Sequence, residues 1–142
     1  MIIKITEYRF FIINSPYFCG LCNFANSVAD IKIMTKLKIG LFGIGHLGKI
    51  HLRCLLQSEY YELVGFYDPN DALAAQVITD FGLTRYANVE ALLHEVVVVD
   101  IVTPTFAHFE IAAAALRLGK HVFIEKPVTQ TVAEAEIGRA HV

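Results

Sequence analysis

The chain has 142 residues, 55% hydrophobic and 18% charged, with a formal net charge of -2. These values exclude a disordered tail, a collagen-like repeat and a charged low-complexity segment, and without a basic stripe nucleic acid is not an expected partner. No apolar run reaches the ~18 residues of a membrane-spanning helix, the length suits one domain, and three cysteines are an odd number for a disulfide framework.

Residues 1–33 carry six of the sixteen aromatics and show no sustained helical or strand period. Cys19 and Cys22 form a C-x-x-C, but a zinc ribbon needs a second pair and the only other cysteine is Cys54. No strand-to-helix context supports a thioredoxin-type motif either, so no metal site is expected. A new register begins at Met34. The reading expects translation to start there, with 1–33 a doubtful extension from an upstream in-frame start. Its rival is an N-terminal extension that packs on the domain.

From residue 36 the pattern alternates strands and helices. Residues 36–42 (KLKIGLF) read as a buried strand bounded by glycines. Residues 46–57 place Leu47, Ile50, Leu52, Leu55 and Leu56 at near-helical spacing. Residues 62–67 form a second strand. Residues 71–81 form a helix with Asn70 or Asp71 as N-cap and Gly82 as C-cap. Residues 85–87 suit a short edge strand, and Asn88 caps a helix through Leu93. Residues 96–102 (VVVVDIV) are nearly all β-branched, as in a strand covered on both faces. Thr105 opens a helix to Leu118, ended by Gly119. Residues 121–124 form the next strand, and a last helix begins near Thr131. This order predicts an α/β fold, a doubly wound parallel sheet of the Rossmann type. Five strands are expected, with a sixth missing beyond the last helix.

Gly43-Ile44-Gly45-His46-Leu47-Gly48 is a G-x-G-x-x-G between a strand and a helix, the context that makes such a string informative. Gly43 permits the turn, Gly45 lets a pyrophosphate approach the backbone, and Gly48 lets helix and sheet pack closely. His46 and Leu47 are expected beside the cofactor. Helix-start amides and the helix dipole favour the phosphates. Asp68 ends the second strand, twenty residues after Gly48, where a carboxylate meets the adenosine ribose. Such a carboxylate repels a 2′-phosphate, and no arginine directly follows it, so NAD is expected over NADP. The alternative for Asp68 is a turn residue in D-P-N-D that only caps the next helix.

With His51 three positions after Gly48, then Thr103-Pro104-Thr105-Phe106-Ala107-His108 and Glu125-Lys126-Pro127 after the last strand, residues 34–135 resemble the N-terminal half of a Gfo/Idh/MocA-family oxidoreductase. The resemblance implies that Thr103 and Pro104 line the cofactor. It implies that His108 lies close to the site, that Glu125 bonds the nicotinamide ribose, and that Lys126 faces the substrate as the catalytic group. Pro127 in this motif often follows a cis peptide bond. A lysine ammonium suits the negative charge that develops on an alcohol oxygen as hydride and proton leave. The bland readings are a solvated loop lysine, a surface glutamate partnering it and a helix-start histidine. His51 reads as packing or polar support, and His94 and His121 as structural.

Family members carry a second α/β domain that supplies much of the substrate pocket and the oligomer interface. It has no counterpart in these 142 residues. Residues 136–142 (EIGRAHV) match the translation of a common sequencing adapter, so the reading expects a domain over 34–135 cut before its last strand. An ordinary helix end capped by Gly138 is the rival. The expected function is the cofactor-binding half of a cytoplasmic NAD-dependent dehydrogenase acting on a sugar, polyol or related hydroxy compound, homo-oligomeric at full length. The other reading is a free-standing, non-catalytic NAD-binding module.

Overall fold

The computed structural model describes the backbone of residues 2–5, 8–12 and 36–140 and the side chains of 36–136. Cys19, Cys22 and Met34 lie outside the described residues. β1 (Ile2–Ile5) and β2 (Tyr8–Ile12) form an antiparallel pair where the sequence shows no sustained strand period. The patterned region then gives β3 (Leu37–Phe42), α1 (His46–Leu56), β4 (Tyr61–Tyr67), α2 (Asp71–Phe81) and α3 (Val89–Glu95). β5 (Val98–Ile101), α4 (His108–Arg117), β6 (His121–Ile124) and α5 (Val132–Ala140) follow.

The sheet order is β1-β2-β6-β5-β3-β4. β3 pairs in parallel with both β4 and β5, β5 with β6, and β2 with β6. The order of β3 to β6 is that of a doubly wound fold, reversing direction at β3, and all four carboxyl ends share one edge. Four of the five strands expected from the pattern form, and the structure places β2 on the β6 edge beside them.

Three local expectations change. The strand expected over 85–87 is a single bridge between Arg85 and Phe66, because Asn88 turns the chain into α3 after two hydrogen bonds with Phe66. The strand expected over 96–102 narrows to Val98–Ile101, although Val97 and Val102 still donate to Lys38 and Phe42. Thr105 does not cap α4: Thr105–Ala107 form a 3-10 turn first, with the Ala107 amide bonded to the Pro104 carbonyl. The caps on α2 are as expected, with the Asn70 side chain accepting from the Leu73 amide and Gly82 left-handed at φ 65°.

Both faces of the sheet are buried. Ile39, Leu41, Val98 and Phe123 turn towards the side where Leu52 and Leu55 of α1 pack. Phe42, Val99, Ile101, Val122 and Ile124 turn the other way, onto Leu92 and Leu93 of α3 and Ile111 and Ala115 of α4. Gly40 is required on this second face, since a Cβ there would stand 2.9 Å from the Leu92 side chain. This two-sided burial explains the high hydrophobic share of the strands. Asp100 breaks it: a fully buried carboxylate in the middle of β5. No helix among the described residues is long and apolar enough to cross a membrane.

Candidate cofactor-binding site

The glycine loop joins β3 to α1 at the carboxyl edge of the sheet. Each glycine has a separate physical reason. Gly43 has φ 91°, and a Cβ on it would meet the Val102 and Thr103 backbone at 2.8 Å. A Cβ on Gly48 would stand 2.1 Å from the Gly43 carbonyl oxygen, so only glycine lets α1 press against the loop. Gly45 differs, because a Cβ there would meet nothing within 4 Å. What Gly45 keeps clear is open space in front of the helix.

That space suits a diphosphate. α1 starts on Gly45 with no side-chain cap and no acidic residue in its first turn. α2 and α3 are capped by Asn70 and Asn88. Uncapped first-turn amides beside an open cradle are ready to receive an anion. His46 and Leu47 are exposed at this helix start, beside the cradle.

Asp68 is buried at the end of β4. Its Oδ2 accepts from the Ile44 amide at 2.9 Å, tying the carboxylate to the glycine loop, and its Oδ1 accepts from the Asn70 amide at 2.8 Å. Asn70, not Asp68, caps α2. A carboxylate has about four acceptor sites, so two remain for ribose hydroxyls. No arginine directly follows Asp68, yet the structure brings Arg85, 17 positions on, to it. One guanidinium nitrogen donates to the Asp68 carbonyl at 2.9 Å, and the other pairs with Asp71 at 2.7 Å.

The loops after β5 and β6 form the other end of the edge. Thr103 follows β5, and its buried Oγ1 has no hydrogen-bond partner. An orphaned hydroxyl beside the cradle suits a polar ligand group. Pro104 is exposed next to it. His108 is buried, with Nε2 2.8 Å from the Thr103 carbonyl and Nδ1 2.9 Å from the Pro127 carbonyl. Both ring nitrogens therefore engage backbone, and the histidine fastens the two loops together. The Lys126–Pro127 peptide is cis. Lys126 is exposed, and its amide donates to Glu125 Oε2 at 3.0 Å.

One constellation lies beneath this edge that the sequence reading missed. His51 of α1 points inward, with Nδ1 2.9 Å from Asp100 Oδ2 and Nε2 3.3 Å from Glu125 Oε1. Burial works against a charged His51, but the hydrogen bonds and charges of Asp100 and Glu125 prevail and hold its pKa above the ordinary 6.5. Complete burial pushes Asp100 upward, so both partners favour keeping the proton between them. A signal was present in the sequence. A lone aspartate in a β-branched run must find a partner when the strand is buried.

The profile of the Gfo/Idh/MocA oxidoreductase family, NAD-binding Rossmann fold, matches residues 37–139. The chain is 39% identical over 103 residues to UDP-N-acetylglucosamine 3-dehydrogenase of Acidithiobacillus ferrooxidans, a match covering 72% of this chain and 32% of that protein. It is 36% identical over 100 residues to glucose-6-phosphate 3-dehydrogenase of Bacillus subtilis, covering 70% and 29%. A solved structure of the Acidithiobacillus ferrooxidans enzyme superposes with a TM-score of 0.69 at 37% identity, over 76% of this chain and 35% of that one. The chain thus spans about a third of the length of the curated relatives it matches. It belongs to the Gfo/Idh/MocA oxidoreductase family and carries that family's NAD-binding Rossmann domain.

Proposed function

We propose that these residues are the cofactor-binding part of an NAD-dependent dehydrogenase acting on a hydroxyl of a sugar, polyol or related compound. The observation that carries the reading is the convergence of Gly45, Asp68, Thr103 and Glu125 on one sheet edge, each following a different strand. The relatives' names point to sugar hydroxyls as the substrate class.

A bound nicotinamide supplies the hydride acceptor or donor. The chain's own groups bind and orient. The first-turn amides of α1 hold the diphosphate over Gly45. Asp68 accepts from the adenosine ribose, with His46 and Leu47 at the helix start and Thr103 and Pro104 along the β5 side. Asp68 is buried and already tied to the loop amide, so a 2′-phosphate brought against it is repelled at close range. Arg85 does not reverse this, because its fork is engaged by Asp71 and the Asp68 carbonyl. Glu125 accepts from the nicotinamide ribose. Lys126 presents its ammonium to the substrate oxygen, stabilising developing negative charge and relaying the proton. His108 is a positioning residue that holds the Lys126–Pro127 loop against Thr103.

The nucleotide-binding unit is assigned to residues 34–135, and the substrate pocket to the part of the relatives' length that the match does not cover. Calorimetric titration of the chain with NAD and NADP tests the reading. NAD should bind more tightly, and a preference for NADP would overturn the Asp68 assignment. Substrate-dependent NAD reduction by this chain alone should be negligible, and robust turnover would overturn the assignment of the pocket to another domain.

A further inference from the structure

We propose that Asp100 and His51 are positioning residues for Glu125, holding its carboxylate fixed in direction towards the nicotinamide ribose. The inference rests on the assignment of Glu125 above. It adds two residues that no local motif connects, 49 positions apart in sequence.

The geometry constrains the protons. Both ring nitrogens of His51 face carboxylate oxygens, at 2.9 Å towards Asp100 and 3.3 Å towards Glu125. An ionised carboxylate only accepts, and a neutral imidazole donates from one nitrogen. With both carboxylates ionised, only the imidazolium serves the two at once. Asp100 comes from the middle of the sheet and is fully buried, so it gives the ring a rigid anchor. Glu125 follows β6, where its amide donates to Ile101, which also fixes its backbone. Its Oε1 faces His51 and its Oε2 accepts from the Lys126 amide. Each oxygen keeps acceptor capacity for a ribose hydroxyl, while its direction is set from behind.

A purely architectural role accounts poorly for this cluster. Burying a charged trio costs desolvation that apolar residues of similar volume would avoid. The surroundings are otherwise apolar: Leu41, Leu52 and Phe123 occupy the same face, and the Phe123 ring centroid lies 6.0 Å from that of His51. Among the described residues, the charged groups facing His51 are Asp100 from β5 and Glu125 after β6. Lys49, one of the two cations of α1 that lie two positions from His51, turns to Gln76 of α2 instead.

The test compares NAD with ADP, which lacks the nicotinamide ribose and so stops short of Glu125. His51→Gln and Asp100→Asn should each weaken NAD binding about tenfold and leave ADP binding within about twofold. Retained ADP binding also reports that the variant is folded. In the unaltered chain, ring-nitrogen NMR should show His51 protonated at both nitrogens at pH 6, below its ordinary pKa. The NAD-to-ADP affinity ratio should fall as pH rises through its titration, and this fall should vanish in His51→Gln. If Glu125→Ala leaves NAD affinity unchanged, the assignment of Glu125 fails and the proposal with it. If Glu125→Ala weakens NAD while His51→Gln and Asp100→Asn leave the NAD-to-ADP ratio unchanged, the positioning role alone is overturned. A neutral His51 ring at pH 6 would overturn it without any variant.

Discussion

The two ends of the site are built differently. At the β3–β4 end the chain offers backbone: three glycines, uncapped amides of α1, and one aspartate bonded to the loop it serves. At the β5–β6 end it offers side chains held by other side chains: Glu125 backed by His51 and Asp100, and the Lys126 loop fastened by His108. On the proposed reading the first end needs shape and dipole, because it would receive the diphosphate common to every dinucleotide. The second needs direction, because hydride transfer depends on how the ring and the reacting carbon are aligned. Substitutions at the two ends should therefore fail in different ways.

The largest effect should separate chemistry from binding. In an enzyme of the relatives' length bearing this domain, Lys126→Ala should lower kcat about 100-fold or more. Because Lys126 is exposed, NAD affinity and thermal stability should hardly change. An unchanged kcat would remove it from the mechanism. Next come the loop glycines, which should split binding from stability. Gly45→Val should weaken NAD about 100-fold by filling the cradle, while its thermal midpoint holds. Gly48→Ala should instead lose about 3 kcal/mol of stability, since its Cβ would meet the Gly43 carbonyl. Calorimetry and denaturant unfolding on both variants distinguish the two outcomes. Equal behaviour would mean that the cradle is not where the diphosphate lies.

A smaller effect is expected from His108→Ala, about 2 kcal/mol of stability, from the loss of a buried ring and of the hydrogen bond it donates to a loop carbonyl. Asp68→Asn should reduce the preference for NAD over NADP about tenfold by removing the charge while keeping an acceptor near the Ile44 amide. The smallest effect is on pH dependence. His51 has its folded-state pKa raised above 6.5, so its charged form stabilises the fold. That contribution is complete below pH 6.5 and is lost as pH rises through the folded-state value. Thermal unfolding of the unaltered chain should therefore lose stability across that range, and His51→Gln should flatten the dependence.

The difference between the ends also explains what was legible in the sequence. The glycine loop, Asp68 and the alternation of elements are local patterns. Spacing along one strand-turn-helix unit exposes them, and the parallel order follows from connectivity. Glu125 and Lys126 came from a resemblance rather than from physical spacing. Asp100 escaped, and His51 read only as packing or polar support, because their pairing exists only once β5 lies beneath α1. Arg85 was missed for the same reason: it reaches Asp68 across the turn that follows α2. The strands Ile2–Ile5 and Tyr8–Ile12 left no periodic signal, and the pairing of the second with β6 is a property of the sheet edge.

The most direct measurement of the whole account is amide NMR of the chain during titration with ADP and then with NAD. Both ligands should shift the amides of Gly43 to Gly48, Asp68 and their neighbours, and only NAD should add shifts at Glu125 and Lys126. Shifts confined to the glycine loop with both ligands, or centred away from the carboxyl edge of the sheet, would contradict a dinucleotide laid from Asp68 to Glu125.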